Sequence, residues 1–204
     1  MNSYDFFAMS SWKAAEWIGF SQLIVYIIAA LIAAITIYTN IKSSKERATL
    51  DMILNDHNDH SFQKSKRIVF EFARKVQNDP KAINDITNLF LSPATPSTKP
   101  ANKIFFKIKQ DININNDDLT ELKDAFLLVM NRHEFYAAGI NSGLLDENIF
   151  KRANCNTFIK IWDAFSTTVL AIRKKEGKDT IFKELEILAI KWKMNPLTEK
   201  DIGK

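Results

Sequence analysis

The stretch Trp17–Tyr38 reads WIGFSQLIVYIIAALIAAITIY, and no charged residue occurs between Glu16 and Lys42. At about 1.5 Å of rise per residue, an α-helix over this stretch is about 32 Å long, close to the hydrocarbon thickness of a bilayer. A buried core helix of this length without a charged face is unusual. We therefore predict a single transmembrane helix over residues 17–41.

The residues around this stretch argue against a cleaved signal peptide. A signal peptide has a basic N-terminal region and a short apolar run that ends at small residues. Here Asp5, Lys13 and Glu16 precede the stretch, and its alanines lie inside the run. Residues 1–16 are predicted to be a short extracytoplasmic segment, either lying at the membrane interface or frayed.

Basic residues follow the predicted span and set its orientation. Lys and Arg close to a span stay on the cytoplasmic side during insertion. We therefore expect a single-pass protein of the inner (cytoplasmic) membrane, with its N-terminus outside and its C-terminal domain in the cytoplasm. The membrane-interface residues are the basic Lys42, Lys45 and Arg47 and the aromatic Trp12, Trp17 and Tyr38, whose rings suit the boundary between lipid and water.

Composition limits the remaining function classes. The chain has 204 residues, with 28 Lys and Arg against 24 Asp and Glu, a net charge of +4. That mild excess suits a domain near anionic headgroups better than a dedicated nucleic-acid binder. The single cysteine, Cys155, excludes an intrachain disulfide and agrees with a reducing cytoplasm. Five glycines in the whole chain argue against a β-rich fold or a glycine-loop nucleotide fold.

Helical periodicity in the rest of the chain predicts an all-α cytoplasmic bundle. The membrane helix is expected to continue to about Leu54, and apolar residues at spacings of three and four then recur in several segments. Predicted helices cover 62–77, a segment from Asp79-Pro80, 118–142 before Gly143, a segment capped by Asp146, 157–175, and a last helix capped by Asp179.

These patterns divide the chain beyond the span into four parts. Residues 42–91 are predicted to be membrane-proximal helices, 92–103 a flexible Pro-rich loop, 104–197 the helical bundle, and 198–204 a C-terminal tail. Residues 104–109, IFFKIK, fit either a strand or the start of a helix, and the sequence does not decide between them.

Three segments resemble a bacterial family of domains of unknown function, DUF4760. They are Ala48-Thr49-Leu50, the run NRHEFYAAGINSGLLDE from Asn131 to Glu147, and Leu188-Ala-Ile-Lys-Trp192. The resemblance covers about residues 43–197. It implies an N-terminal membrane anchor followed by a cytoplasmic helical domain, and it supplies no catalytic residues.

Three other groups of residues can carry chemistry. His57 and His60 are weak candidates for metal ligands, because they are three residues apart, but few further ligands exist to complete a site. His133 lies on an apolar helical stripe without a second histidine four residues on, so a core histidine is favoured over a zinc motif. The neighbouring Glu134 can bind a helix end, and Cys155 is interpreted as a small packed residue.

Lys103, Lys107 and Lys109 form a candidate basic patch with nearby phenylalanines. Such a patch can bind nucleic acid or lie on lipid headgroups. A solvated loop edge explains it equally well.

The sequence therefore favours a membrane-anchored helical interaction module that is non-enzymatic and needs no cofactor. Its expected partners are the lipid bilayer and either another protein or a second copy of the chain. Small residues in the span, notably Ala30 and Ala34, give a candidate oligomer face. The alternative is a membrane-tethered sensor or effector that recognises nucleic acid or a nucleotide, as in phage defence or phage exclusion.

Overall fold

The computed structural model describes residues 13–77, residue 87 and residues 116–199, and side chains over 13–74, 87 and 121–199. These residues form five α-helices and no strand. The helices are α1 (Ala14–Asn58), α2 (His60–Gln77), α3 (Asn116–Asn141), α4 (Glu147–Glu176) and α5 (Lys183–Met194). The predicted all-α fold is confirmed. The chain divides into two compact units, Met1–Lys45 and Glu46–Lys204.

The first unit is the N-terminal part of α1. Of the described helices, α1 is the one long and apolar enough to cross a membrane. Its apolar side chains from Leu23 to Ile41 are exposed throughout, because no described element covers them. The hydroxyls of Ser21, Thr36 and Thr39 donate to backbone carbonyls three or four residues earlier, which reduces the cost of placing them in hydrocarbon. Length, composition and exposure therefore all fit a membrane span.

The last turns of α1 belong to the second unit. Thr49 is fully buried, and Met52 and Ile53 pack against the core. Leu50 and Leu54 of the same turns are instead 48% and 59% exposed. The helix ends at Asn58, within the polar NDHNDH sequence that follows Leu54.

The core of the second unit forms where α2 packs on α3 and α4 and where α5 packs on α3 and α4. The apolar faces predicted from periodicity are confirmed where their side chains are described. α3 buries Phe126, Val129, Met130 and Ile140, α4 buries Phe150, Phe158, Ile161 and Phe165, and α5 buries Leu185, Leu188 and Trp192. Aromatic rings join these helices, since Phe158 lies 5.2 Å from Trp192 and 5.7 Å from Phe150 between centroids.

A tight corner connects α3 to α4. Gly143 has φ of 72°, a left-handed conformation that suits glycine at a helix end. A Cβ on Gly139 would lie 2.8 Å from the Cδ1 atom of Leu145, so the corner also needs a glycine one turn earlier. Asp146 caps α4 by accepting a hydrogen bond from the Ile149 N–H, as predicted. From this cap α4 runs as one helix through the predicted 157–175 segment to Gly177.

The start of α5 differs from the prediction. Asp179 lies in a turn, and the N-cap is Phe182, whose side chain makes no capping hydrogen bond. Glu134 of α3 supplies the missing acceptors instead, because its carboxylate receives the N–H groups of Glu184 (3.2 Å) and Leu185 (2.7 Å). The expectation that Glu134 binds a helix end is thus confirmed, although its local sequence does not indicate which helix.

Several predicted features lie outside the described residues. They are Trp12, the helix expected from Asp79-Pro80 apart from Thr87, the loop over 92–103, the segment 104–109 and the end of the C-terminal tail.

The cap provided by Glu134 gives the first testable prediction. Glu134→Ala should lower the free energy of unfolding by about 1–2 kcal/mol, because two helix N–H groups lose their acceptor. The measurement is denaturant unfolding of the full chain in detergent micelles, with hydrogen exchange at the Glu184 and Leu185 amides. Asn131→Ala, an exposed change on the same helix, is the control and should stay within about 0.5 kcal/mol. Equal effects of the two substitutions would contradict this capping role.

Candidate functional site

Arg132 is the centre of a polar cluster where three helices meet. Its guanidinium donates to Asp56 Oδ1 (2.8 Å) at the end of α1 and to Asp59 Oδ2 (2.9 Å) at the start of α2. It also lies over the ring of Phe62, with 4.7 Å from Cζ to the ring centroid. The Tyr136 hydroxyl donates to the same Asp56 carboxylate. The cluster thus ties the α1–α2 corner to α3.

Local sequence explains why these groups converge. Asp59 caps α2 by accepting the Phe62 N–H (2.9 Å), which fixes one carboxylate at the corner. Asp56 precedes it by three residues, and Arg132 and Tyr136 share a face of α3 because they are four residues apart. Two carboxylates at the corner therefore meet a cation and a hydroxyl on the facing helix.

The cluster also shifts the ionisation of its members. Burial acts to lower the pKa of Arg132, but hydrogen bonds with Asp56, Tyr136 and Asp59 raise it overall. Burial and the neighbouring Asp56 raise the pKa of Tyr136. The Phe62 N–H and the Arg132 guanidinium hold the pKa of Asp59 below its usual value. All three groups therefore keep their ordinary charge at neutral pH.

His133 lies behind this cluster in the core. It is 2% exposed, and its ring centroid is 4.8 Å from that of Phe158. Its Nδ1 donates to the Val129 carbonyl (2.7 Å), because a carbonyl can only accept. Burial lowers the pKa of His133 to about 4, and the nearby Lys66 and Arg132 charges act in the same direction. The predicted core histidine is confirmed.

A shallow groove runs beside the cluster between α1 and α3. Its walls are largely apolar, from Ala48, Met52, Leu128 and Phe135, and the Phe135 side chain is 62% exposed. Polar residues at its rim are Asp51, Asn55, Asp56, Asn131 and Arg132. The charge of Arg132 is already paired with two carboxylates, so the rim presents net negative charge.

The site residues predicted from the sequence lie outside the Arg132 cluster. His57 and His60 are both exposed, His57 on α1 and His60 on α2, on either side of the helix break. Across the described ranges, no three His, Cys, Asp or Glu side chains group to hold a metal ion. Cys155 is buried. Trp17, Tyr38, Lys42, Lys45, Arg47, Ala30 and Ala34 all lie on α1, and Lys103, Lys107 and Lys109 lie outside the described residues.

Sequence reasoning missed the Arg132 cluster itself. No role was predicted from the sequence for Asp56, Asp59 or Arg132. The available signal was a pair of aspartates at a helix break together with one arginine beside an apolar stripe. That signal is common on helical proteins, and only the fold identifies which arginine pairs with which aspartates.

The three segments that resemble DUF4760 meet at the α3–α4 corner. Thr49 Oγ1 accepts the N–H of Asp146 (2.8 Å), so the first segment contacts the second. Glu147 accepts the Trp192 indole N–H (3.0 Å) and the Lys191 ammonium (2.6 Å), so the third segment joins them. Three segments that lie far apart in the sequence thus contact one another at this corner.

These features define a class of protein, an all-α bundle with one candidate membrane helix at its N-terminal side. The family model described as "Domain of unknown function (DUF4760)" matches residues 23–192, and the chain belongs to this family. No curated protein and no solved structure matches the chain.

The buried histidine predicts a pH dependence of stability. In the unfolded chain His133 should titrate near 6.5, whereas in the folded chain its pKa is about 4. Between these values the unfolded state binds more protons, so stability falls as pH is lowered from 7 to 4.5. The expected loss is up to about 3 kcal/mol.

Thermal unfolding of the full chain in detergent micelles at a series of pH values measures this loss. His133→Gln should make stability depend less on pH between 6.5 and 4.5. The carboxylates are the same in both proteins, so their contribution to the pH dependence cancels in the comparison. His57→Gln removes an exposed histidine and should leave the dependence unchanged. A wild-type curve that is already flat in this range would contradict the buried neutral state.

Proposed function

We propose that this protein is a non-enzymatic, membrane-anchored interaction module of the bacterial inner membrane. Its α1 helix spans the bilayer with the N-terminus outside, and its helical bundle lies in the cytoplasm. The bundle binds a protein partner at the groove between α1 and α3.

One observation carries the proposal: a single helix supplies both the anchor and a wall of the groove. The first unit contains the exposed, charge-free stretch of α1, and the second unit contains Ala48, Asp51 and Met52 of the same helix at the groove. A binding surface built from the first turns after a membrane span is a surface held near the membrane. Its partner is therefore expected to be another membrane protein or a protein recruited there.

The groove's chemistry selects the kind of partner. Apolar walls with an exposed phenylalanine offer contact area to an apolar helix face, and aromatic residues are enriched at the centres of interfaces. The acidic rim at Asp51 and Asp56 complements basic residues flanking such a face. We infer that the partner presents a basic amphipathic segment, which enters the groove in the helix-in-groove mode.

The same electrostatics disfavour a phosphate ligand at this groove. Phosphate recognition requires an arginine or lysine whose donors are available to the ligand. Arg132, the cation at the groove, already donates to Asp56 and Asp59. The alternative of a nucleic-acid or nucleotide sensor therefore has no support from this surface.

The expected topology is testable with reporters fused after Lys204. A cytoplasmic reporter should be active there and a periplasmic reporter inactive, because Lys42, Lys45 and Arg47 follow the span. Replacing these three residues with Gln should produce a mixed orientation, measured as activity from both reporters. The control replaces Lys174, Lys175 and Lys178 with Gln, which lie far along the chain and should change nothing. Periplasmic activity from the native sequence would show the opposite orientation.

The proposed groove is testable by photo-crosslinking in native membranes. A photoreactive amino acid at Phe135 should capture a partner, whereas one at Leu170, an exposed residue of α4, should not. Asp51→Lys should reduce the Phe135 adduct several-fold because it reverses charge at the rim.

The matched control is Asp179→Lys, which makes the same change in the turn before α5. It should leave the adduct intact. Equal capture at both positions, or an equal loss with both charge reversals, would count against a specific acidic groove.

A further inference from the structure

A second groove lies between α2 and α3 (the α2–α3 groove), beside the one between α1 and α3 (the α1–α3 groove). α2 supplies Ser61, Ser65 and Ile68 to it, and α3 supplies Asp124, Ala125 and Leu128. Leu128 also lines the α1–α3 groove, so the two grooves meet at this residue. Both lie within the second unit of the chain.

One outward face of α3 is shared by the two grooves. Its residues recur at spacings of three and four, so they lie above one another along the helix. They are Glu121, Asp124, Leu128, Asn131 and Phe135, each of which lines at least one of the grooves. From Glu121 to Phe135 the face extends about 21 Å, or about four turns. A single partner helix of that length can therefore contact both grooves.

The wall opposite α3 passes from α1 to α2 without an intervening loop. Asp59 is the one residue between these two helices. Its N–H donates to the Asn55 carbonyl (3.0 Å), and its own carbonyl accepts the Gln63 N–H (2.9 Å), so hydrogen bonds of helical spacing cross the break. Arg132 holds this junction against α3 through Asp56 and Asp59. The two grooves are therefore consecutive parts of one longer groove along α3.

The charge that remains available in the two grooves is negative. Lys64 of the α2–α3 groove binds Glu121 (2.6 Å), and Arg132 is paired with two aspartates. Asp51 of the α1–α3 groove and Asp124 of the α2–α3 groove are exposed, and neither forms a hydrogen bond or ion pair with a described residue. Each groove thus has a carboxylate that can bind a lysine or arginine of a partner.

The size of the surface also favours a ligand that occupies both grooves. Specific protein–protein interfaces use about 20–30 residues on each side. Ten residues line the α1–α3 groove, which is too few on that scale, whereas seventeen line the two grooves together, with Leu128 common to both.

We propose that the basic amphipathic segment of the partner is a single helix of about four turns, which lies along α3 and fills both grooves. Its apolar residues contact Leu128 and Phe135. Its lysines or arginines bind Asp51 in one groove and Asp124 in the other. This inference rests on the partner binding stated in the proposed function, and it adds the length of the bound segment and a second contact region.

Photo-crosslinking of the full chain in native membranes tests this arrangement. The photoreactive amino acid p-benzoylphenylalanine replaces either Phe135 or Ser65, one in each groove, and mass spectrometry identifies the crosslinked residues of each adduct. Both positions should capture the same polypeptide, at residues about 7–14 apart in one segment rich in lysine or arginine, because a helix rises about 1.5 Å per residue. The same amino acid at Leu170, an exposed residue of α4, should give no such adduct.

Charge reversal in one groove should weaken capture in the other. Asp124→Lys should reduce the adduct at position 135 several-fold, because a helix bound in both grooves loses affinity as a whole. Asp124→Asn should reduce it less, since this change removes the attraction without adding repulsion. Asp179→Lys, the same charge reversal in the turn before α5, should leave the adduct intact.

The outcomes separate this inference from the proposed function. Capture at position 135 that is insensitive to Asp124→Lys, or capture of a different polypeptide or a distant segment at position 65, would overturn the four-turn helix and leave the α1–α3 groove as the binding surface. An adduct at position 65 with this chain's own residues 99–109 or with a second copy would do the same. Absence of specific capture at position 135 would overturn the partner binding, and this inference with it.

Discussion

The hydrogen bond from the Asp146 N–H to Thr49 Oγ1 is the contact on which the arrangement of the bundle depends. Thr49 is fully buried although it belongs to the helix that also contains the charge-free stretch. Its acceptor satisfies the first N–H of the α4 cap, and the adjacent Glu147 then binds Lys191 and Trp192 of α5. One buried hydroxyl therefore links α1 to the cap of α4, and the first residue of α4 binds α5.

The predictions succeeded where local chemistry decides the structure. Helix faces in α3, α4 and α5 follow from apolar residues at spacings of three and four, and Gly143 and Asp146 follow from the conformational and hydrogen-bonding needs of helix ends. The predicted start of α5 was wrong, because the acceptor for its first N–H groups is the carboxylate of Glu134, about fifty residues earlier in the chain.

The candidate site was less predictable than the fold for a related reason. Nothing in the sequence distinguishes Arg132 and its two aspartates from other charged residues. They form a cluster because Arg132 contacts aspartates that lie more than seventy residues earlier in the chain. His133, by contrast, was interpreted correctly, because its place on an apolar stripe already implies burial. Burial then makes the ring neutral, so the residue that most suggests catalysis is instead part of the core.

The last turns of α1 divide their side chains between the bundle, the groove and solvent. Thr49 and Ile53 face the bundle, Ala48 and Asp51 border the groove, and Leu50 and Leu54 remain exposed on the side away from the bundle. A 3.6-residue period makes this division possible, since neighbouring residues point about 100° apart.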